Sequence, residues 1–252
     1  MDTPINLQPP FTLAYIPETS STIRFMKDLC QAGKAEEYAV AATDYQTAGR
    51  GQRGNTWEAE RGKNLLFSLL LKPTFLTADR QFLLSQAVSL AIKEELDRHD
   101  NGFCIKWPND IYWKDKKICG MLIEHDLQGK YLQLTNAGIG INVNQEHFSA
   151  SLPNPVSLLQ ITGKAHDRMQ LLQAILDRLL KYYQMLQRDE TAPITEKYED
   201  ALFRRGIMAP FTDNQSTFMG QITGVLPNGM LILKDSTGKE RSYAFKEISY
   251  VL

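Results

Sequence analysis

The sequence predicts an α/β protein, more closely described as α+β, in which a mixed β-sheet domain precedes a small all-β domain. Apolar runs with the length of buried strands alternate with amphipathic helical patterns up to about residue 206. After Arg205-Gly206 the chain changes to short β runs separated by turns, a pattern typical of a small antiparallel barrel or sandwich. We therefore expect a larger domain over residues 1–206 and a small β domain over residues 207–252.

Length, charge and cysteine content exclude several classes of protein. A chain of 252 residues can bury a substantial core, and its net charge of −1 provides no basic field for general nucleic-acid binding. Three cysteines, none at zinc-ligand spacing, indicate neither a disulfide framework nor a zinc site. The sequence has no signal-peptide pattern and no apolar run of membrane-spanning length. We expect a cytoplasmic protein without a nucleic-acid or membrane partner.

Apolar periodicity places the elements of both domains. Hydroxyl residues at 19–22 are N-caps for a helix that ends at Gly33, and Leu65–Leu71 is apolar throughout, as in a strand covered on both faces. Further helices are predicted over residues 77–99, 167–188 and 193–203, and further strands over residues 11–16, 38–45, 131–143, 218–226, 230–233 and 241–245.

One polar segment lies between two apolar runs of the larger domain. Residues 103–105 and 118–123 are predicted strands, with Lys-Trp-Pro-Asn-Asp at residues 106–110 and a turn over residues 113–116. A hairpin of this kind brings Lys106, Asp110 and Lys117 into one neighbourhood. Two cations beside a carboxylate suit an anionic ligand that must be oriented as well as neutralised. The alternative is an ordinary exposed hairpin tip.

A second polar segment, Gly-Arg-Gly-Gln-Arg-Gly-Asn-Thr-Trp, occupies residues 49–57. Its glycines permit positive φ and bring backbone N–H groups close to a phosphate, while Arg50 and Arg53 carry planar charged groups that match phosphate or carboxylate oxygens. No helix is predicted after the loop, so neither the dinucleotide-binding nor the P-loop fingerprint applies. Taken alone, the loop is also typical of nucleic-acid binding or of a disordered segment.

Together the two segments resemble the biotin–protein ligase family. That family has a Gly-Arg-Gly-Arg-x-Gly-x-x-Trp loop, a Lys-Trp-Pro-Asn-Asp segment and a Lys-x-x-Gly-x-Leu-x-Glu strand, which residues 117–124 match here. The resemblance runs from about Thr19 to the C-terminus. It implies a catalytic domain of the class II synthetase-like type with an SH3-like C-terminal domain. With so few residues before Thr19, it also implies the short form that lacks a helix-turn-helix repressor domain.

The resemblance implies a two-step reaction. Biotin and ATP, with magnesium on the phosphates, form biotinyl-5′-AMP, and biotin then passes to a lysine of a biotin carboxyl carrier protein. The absence of a clear Ser–His or Cys–His arrangement agrees with this chemistry, because the mixed anhydride is itself the activated species. Dimers through a sheet edge occur in the family, so a homodimer stays open.

Roles for individual residues also come from the resemblance. Lys117 matches the lysine that bridges the biotin carboxylate and the phosphate, and Asp110 matches an aspartate that orients or deprotonates the incoming lysine. Arg50 and Arg53 complete the catalytic set. Trp57 offers an apolar face to the ligand, with a core tryptophan as the alternative, and capping alone is the alternative for Ser21 and Thr22. Expected substrate-binding residues are Ser21, Thr22, Gln46, Gly49, Gly51, Gln52, Gly54, Trp57, Lys106, Asn109, Gly120 and Asn142.

Two departures from the family pattern stand out. Gln52 occupies a position where the family often has an arginine, and Gly220-Gln221-Ile222-Thr223-Gly224 lacks an arginine that some members place against ATP. Two alternative functions stay open. One is a lipoate ligase or octanoyltransferase, which lacks the Lys-Trp-Pro-Asn-Asp segment. The other is a non-catalytic nucleotide- or RNA-binding module, which the near-neutral charge disfavours.

Overall fold

The structure is a computed structural model that describes residues 7–251, apart from the side chain of Arg53. Its larger sheet has seven strands in the order β1-β2-β3-β7-β6-β5-β4. β1 and β2 are parallel, and all other neighbours are antiparallel, so the sheet is mixed as predicted. The strands are β1 (Thr12–Thr19), β2 (Ala39–Gln46), β3 (Leu65–Leu71), β4 (Phe103–Lys106), β5 (Asp110–Trp113), β6 (Lys116–Gln128) and β7 (Tyr131–Ile141).

Helices cover this sheet because its central strands are apolar on both faces. Every residue of β3 is buried, as the continuous apolar run predicts. Met26 from the first helix packs on one face of the sheet, with Ala39, Ala41 and Leu70. The helices are α1 (Thr22–Gln31), α2 (Phe82–Leu96), α3 (Leu158–Thr162), α4 (Arg168–Gln187) and α5 (Ala192–Asp200). Among the described residues, no helix is long and apolar enough to cross a membrane.

A second sheet is antiparallel and has five strands in the order β11-β10-β9-β8-β12. All five strands follow Gly206, where the composition changes. Trp107 connects the two sheets through a hydrogen bond. The Trp107 Nε1 donates to the carbonyl oxygen of Gly229 over 2.8 Å. The strands are β8 (Met208–Asp213), β9 (Thr217–Val225), β10 (Leu231–Asp235), β11 (Glu240–Tyr243) and β12 (Ile248–Tyr250).

The structure corrects several predicted elements. The polar segment at residues 106–110 is itself a hairpin turn, and Asp110–Trp113 pairs with strands on both sides. Buried Ile111 and Tyr112 supply the apolar surface that makes this segment a strand. The helix predicted from residue 77 begins at Phe82, after a 3₁₀ turn over Ala78–Arg80. The sequence patterns did not indicate β8, β12 or the short α3.

Candidate active site

A cavity of about 280 Å³ lies at one end of the larger sheet, where the second sheet closes it. This volume is close to the lower limit of small-molecule sites in proteins. Twelve of the predicted site residues line it: Ser21, Thr22, Gln46, Arg50, Gly51, Gln52, Trp57, Lys106, Asn109, Asp110, Lys117 and Gly120. The structure therefore brings the glycine–arginine loop and the residue 106–124 segment to one place.

Lys117 and Asp110 form an ion pair in the cavity wall. Lys117 Nζ lies 2.8 Å from Asp110 Oδ1, with both side chains partly exposed. Asp110 begins β5 opposite Gly120 of β6, and a register shift after Ile111 sets Tyr112 opposite Lys117. Both charges thus sit on paired strands, which fixes their separation better than a loop would.

Lys106 is a second lysine in the wall, and its ammonium lies among aromatic rings. Its Nζ donates to the Tyr112 hydroxyl over 3.1 Å and lies 4.7 Å from the centre of the Tyr112 ring. Burial lowers the pKa of Lys106, and the nearby cations Lys117 and Arg204 act in the same direction, whereas Asp110 opposes them. Burial also raises the pKa of Tyr112 to about 12, so its hydroxyl keeps its proton at neutral pH.

The glycine–arginine loop folds back on itself as a small closed hairpin. Trp57 N donates to Gly49 O over 3.0 Å, and Gly51 N donates to Asn55 O over 2.7 Å. A side chain at Gly49 would lie 2.3 Å from the Trp57 carbonyl oxygen, so this glycine is required for close approach, whereas Gly54 adopts a positive φ of 87°. Gly49 and Gly54 do not line the cavity; they shape the loop that does.

Arg50 reaches from this loop to β6. Its Nη2 lies 3.3 Å from Glu124 Oε1, and the other carboxylate oxygen of Glu124 is 2.7 Å from Lys27 Nζ on α1. Arg50 is about half exposed, so this contact is a weak one. The second arginine of the predicted set, Arg53, has its side chain outside the described part of the structure.

Trp57 lies flat on a pair of glycines in neighbouring strands. Gly120 of β6 and Gly140 of β7 are directly paired, and a Cβ at either position would lie 2.9 Å or 2.5 Å from the nearest atom of the indole ring. Lys117 Nζ is 5.7 Å from the ring centre. Glycine at both positions lets the indole pack on the backbone, so Trp57 forms an apolar wall beside the ion pair.

Hydroxyl and amide groups close another side of the cavity. Gln46 Oε1 accepts a hydrogen bond from Thr22 N over 2.8 Å, and Ser68 Oγ donates to Thr22 Oγ1 over 2.9 Å. Ser21 caps α1 by accepting from Arg24 N over 3.2 Å, as predicted. Ser21 and Thr22 therefore combine a structural role with a place in the lining.

The two predicted asparagines differ in their position relative to the cavity. Asn109 lines the cavity and donates through Nδ2 to the Met121 carbonyl oxygen, which ties the turn to β6. Asn142 lies outside the lining, where its Nδ2 donates to Val156 O over 3.1 Å. Val156 N in turn donates to Lys117 O over 2.9 Å, so Asn142 supports the backbone that carries Lys117.

The second sheet supplies lining residues that the sequence did not indicate. Phe245, Ile248, Ser249 and Tyr250 form one wall of the cavity. Phe245 also packs on Trp107, with ring centres 6.1 Å apart. The expected signal, an arginine near residues 220–224, is missing from the sequence, and short aromatic segments near a C-terminus do not by themselves indicate a site.

The described lining suits magnesium only when the ion is also bound by substrate phosphates. Within residues 7–251, no group of three His, Cys, Asp or Glu side chains is arranged to hold a metal ion, and Asp110 is the one carboxylate among the described lining residues. Magnesium commonly uses one or two carboxylates together with substrate phosphates. Asp110 meets that requirement, so the lining agrees with magnesium carried by a nucleotide.

Comparisons with known proteins find matches over most of the chain. A family model described as the biotin/lipoate A/B protein ligase family matches residues 15–144. The bifunctional ligase/repressor BirA of Bacillus subtilis (strain 168) is 31% identical over 92% of this chain and 72% of its own length. The biotin–[acetyl-CoA-carboxylase] ligase of Paracoccus denitrificans is 29% identical over 77% of this chain and 83% of its own.

A solved structure extends the similarity to the whole fold. The biotin protein ligase of Aquifex aeolicus, in complex with biotin and ATP, superimposes with a TM-score of 0.78 at 27% sequence identity. The match covers 94% of this chain and 97% of that one, so both sheets have counterparts there.

Proposed function

This chain belongs to the biotin/lipoate A/B protein ligase family, and from that premise we propose that it is an ATP-dependent biotin–protein ligase. It forms biotinyl-5′-AMP from biotin and ATP and transfers biotin to a lysine of a biotin carboxyl carrier protein or domain. The observation that carries this proposal is one cavity lined by the cations Lys117, Lys106 and Arg50, in which Lys117 pairs with Asp110 beside the apolar Trp57 wall.

In the first step a biotin carboxylate oxygen attacks the α-phosphorus of ATP. The bond to the bridging oxygen breaks, and pyrophosphate leaves with the electron pair. The difficulty is that two anions must meet, so the protein's contribution is positive charge held in place before the reaction. Lys117 neutralises the meeting point, with Arg50 and Arg53 acting from the loop, and magnesium supplies further charge neutralisation on the phosphates when bound.

In the second step the amine of the carrier lysine attacks the acyl carbon of the intermediate. The acyl–phosphate bond breaks, AMP leaves, and the nitrogen loses a proton. We assign Asp110 to orient the incoming amine or to accept its proton, because it is the one carboxylate of the described lining. No side-chain nucleophile is needed, since the mixed anhydride already carries the activated acyl group.

The cavity favours biotin over lipoate. Biotin and lipoate carry the same flexible pentanoate chain, but the head of biotin is a fused bicycle with a polar ureido group, whereas the head of lipoate is a small apolar dithiolane ring. The Trp57 indole, held on the Gly120–Gly140 pair, offers a flat apolar wall near the ion pair, and Thr22 and Gln46 add hydrogen-bonding groups. A ureido head can pair with such hydrogen-bonding groups, whereas a dithiolane head would leave them unpaired.

The test is incubation with biotin, ATP and magnesium, followed by pyrophosphate release and by the mass of a carrier domain. We expect pyrophosphate release that requires biotin and the addition of one biotinyl group to a carrier lysine. Parallel incubations replace biotin with lipoate or octanoate. Release with these acids but not with biotin would place the chain on the lipoate side of the family. Nucleotide binding without release under any condition would identify a non-catalytic module.

Three finer expectations accompany this proposal. The division into domains at residues 206 and 207 follows the start of the second sheet's strands. A cytoplasmic location suits an enzyme that consumes ATP. A homodimer through a sheet edge stays a prediction, tested by the molecular mass in solution with and without biotin and ATP.

A further inference from the structure

The contacts of Lys106 cross from one sheet to the other. On the side of the larger sheet, its Nζ bonds to the Tyr112 hydroxyl and lies over the Tyr112 ring. On the side of the second sheet, the same Nζ lies 5.0 Å from the centre of the Tyr250 ring. Lys106 and Tyr250 both line the cavity. The lysine ammonium is therefore held between two aromatic rings at the edge of the proposed reaction site.

Tyr250 is itself fixed by its neighbours. It pairs with Phe211 in the β8–β12 ladder, and its ring centre lies 5.1 Å from that of Phe211 and 5.9 Å from that of Phe203. The next residue, Val251, donates through its N–H to Pro210 O over 3.2 Å, and its carbonyl oxygen accepts from Arg204 Nη1 over 2.8 Å. The Tyr250 ring is consequently a rigid support.

The hydroxyl of Tyr250 has no role in these contacts. Its oxygen is buried, and it has no hydrogen-bond partner within the described residues. A buried hydroxyl without a partner is unfavourable, so packing alone gives no reason to prefer tyrosine to phenylalanine here. The contact with Lys106 is made by the face of the ring, which attracts a cation through its quadrupole.

We propose that Tyr250 is a positioning residue for Lys106, and that its ring and the Tyr112 ring hold the Lys106 ammonium toward the anions that react. This inference rests on the proposed ligase function. A lysine has a long flexible side chain, and fixing it only when substrate arrives costs conformational entropy. Two rings that fix it beforehand leave a preorganised cation, which is the form that stabilises developing charge most effectively. The second sheet thus supplies a residue to the reaction through Lys106.

The test measures biotin-dependent pyrophosphate release by the full chain. We expect Tyr250→Phe to keep a rate within about twofold of the parent, because the ring is unchanged. Tyr250→Leu removes the ring and should lower the rate about three- to thirty-fold, the range that corresponds to one cation–ring contact. A Tyr250→Phe rate as low as that of Tyr250→Leu would assign the effect to the hydroxyl and would overturn the proposal.

A double-mutant cycle with Lys106→Met separates positioning from packing. If Tyr250 acts through Lys106, then Tyr250→Leu should reduce the rate of the Lys106→Met variant by less than about twofold, because the two residues act as a unit. If Tyr250→Leu instead lowers the rate of the Lys106→Met variant as much as it lowers the rate of the parent, Tyr250 acts independently of Lys106. That result would contradict the inference.

Tyr243→Leu is the matched control for damage to the second sheet. Tyr243 is a buried tyrosine of β11 that stacks on Phe218 and lies outside the cavity lining. We expect it to lower the melting temperature at least as much as Tyr250→Leu, with a rate near that of the parent. Equal losses of rate in both variants would reduce Tyr250 to a packing residue. A parent chain that releases no pyrophosphate with biotin would instead reject the ligase function itself.

Discussion

At the scale of the residue, we propose different tasks for Lys117 and Asp110, although they form one ion pair. In the resting cavity the 2.8 Å contact neutralises both groups. In the proposed reaction, the biotin carboxylate and the α-phosphate of ATP compete with Asp110 for Lys117. The two residues of the ion pair then act in different steps. In this proposed reaction, Lys117 serves the step in which two anions meet, whereas Asp110 serves the step in which an amine loses a proton.

Replacing Lys117 with alanine should therefore lower the rate of adenylate formation sharply. One charge-assisted contact contributes about 1.5–3 kcal/mol, which corresponds to about 10- to 150-fold. The fold should survive, because the backbone bonds of Lys117 to Asn154 and Val156 do not depend on its side chain. The measurement is biotin-dependent pyrophosphate release, with the exposed neighbour Lys116→Ala as control. A Lys117→Ala rate close to the parent's would remove this residue from the mechanism.

The Asp110→Asn variant should slow transfer to the carrier lysine more than it slows adenylate formation. Asparagine preserves the shape of the side chain but is a far weaker proton acceptor, so a loss of about 10²-fold or more in transfer is expected. The measurement is single-turnover transfer from preformed biotinyl-5′-AMP. Asp115→Asn, in the exposed turn of the same hairpin, is the control. If neither step slows, Asp110 is only a turn residue.

At the scale of the element, the loop over residues 49–57 is held at both ends and exposed at its tip. Trp57 packs on β6 and β7, whereas Gly54, Asn55 and Thr56 are exposed. We expect a protease to cut this exposed part first when no ligand is present, and the cut to slow when biotin and ATP are added together. Equal cleavage with and without the ligands would show that the loop does not close on the site.

Gly140→Ala tests the anchor directly. The new Cβ would lie 2.5 Å from the indole, so Trp57 must move away from the sheet. We expect faster cleavage of the ligand-free loop and a loss of stability of about 1–3 kcal/mol, measured by denaturant unfolding. Gln133→Ala, an exposed change on the same strand, should alter neither quantity. Unchanged cleavage in Gly140→Ala would mean that the indole does not hold the loop.

The sequence predicted helices and strands most accurately where a single hydrophobic pattern dominated the segment. The uniform apolar run of β3 and the amphipathic pattern of α4 fall within one residue of their predicted bounds. Gly140 accommodates the Trp57 indole, but Trp57 lies far away in the chain and no sequence pattern connects the two residues. Contacts between distant residues leave no periodic signal, which also explains why β5 was interpreted as part of a turn.

At the scale of the whole molecule, the site depends on how the second sheet is attached. Trp107 is buried, bonds to Gly229 and packs on Phe245 of the cavity wall. Sequence reasoning identified twelve of the lining residues, all of them outside the second sheet. It did not identify the wall over residues 245–250, because that wall is defined by docking between sheets and not by a motif.

Trp107→Phe should lower both stability and activity. It removes the bond to Gly229 and part of the packing, which together contribute about 1–3 kcal/mol. Trp113→Phe is the control, since Trp113 Nε1 bonds to Asp100 over 2.7 Å, away from the second sheet. We expect similar losses of unfolding free energy in both variants, but a reduced rate of pyrophosphate release only in Trp107→Phe. An active Trp107→Phe enzyme would show that docking and catalysis are independent.

The position of β12 also sets when the site comes into existence during synthesis. Protein chains emerge from the ribosome from the N-terminus, at about 5–20 residues per second, and domains fold as they appear. Every cavity residue on the larger sheet is made before the strand that carries Tyr250. A nascent chain consequently has its loop, its glycine pair and its lysines while one wall is still open to water. Any biotinyl-adenylate made at that stage would be exposed to hydrolysis, so a protected site begins only after β12 has paired with β8.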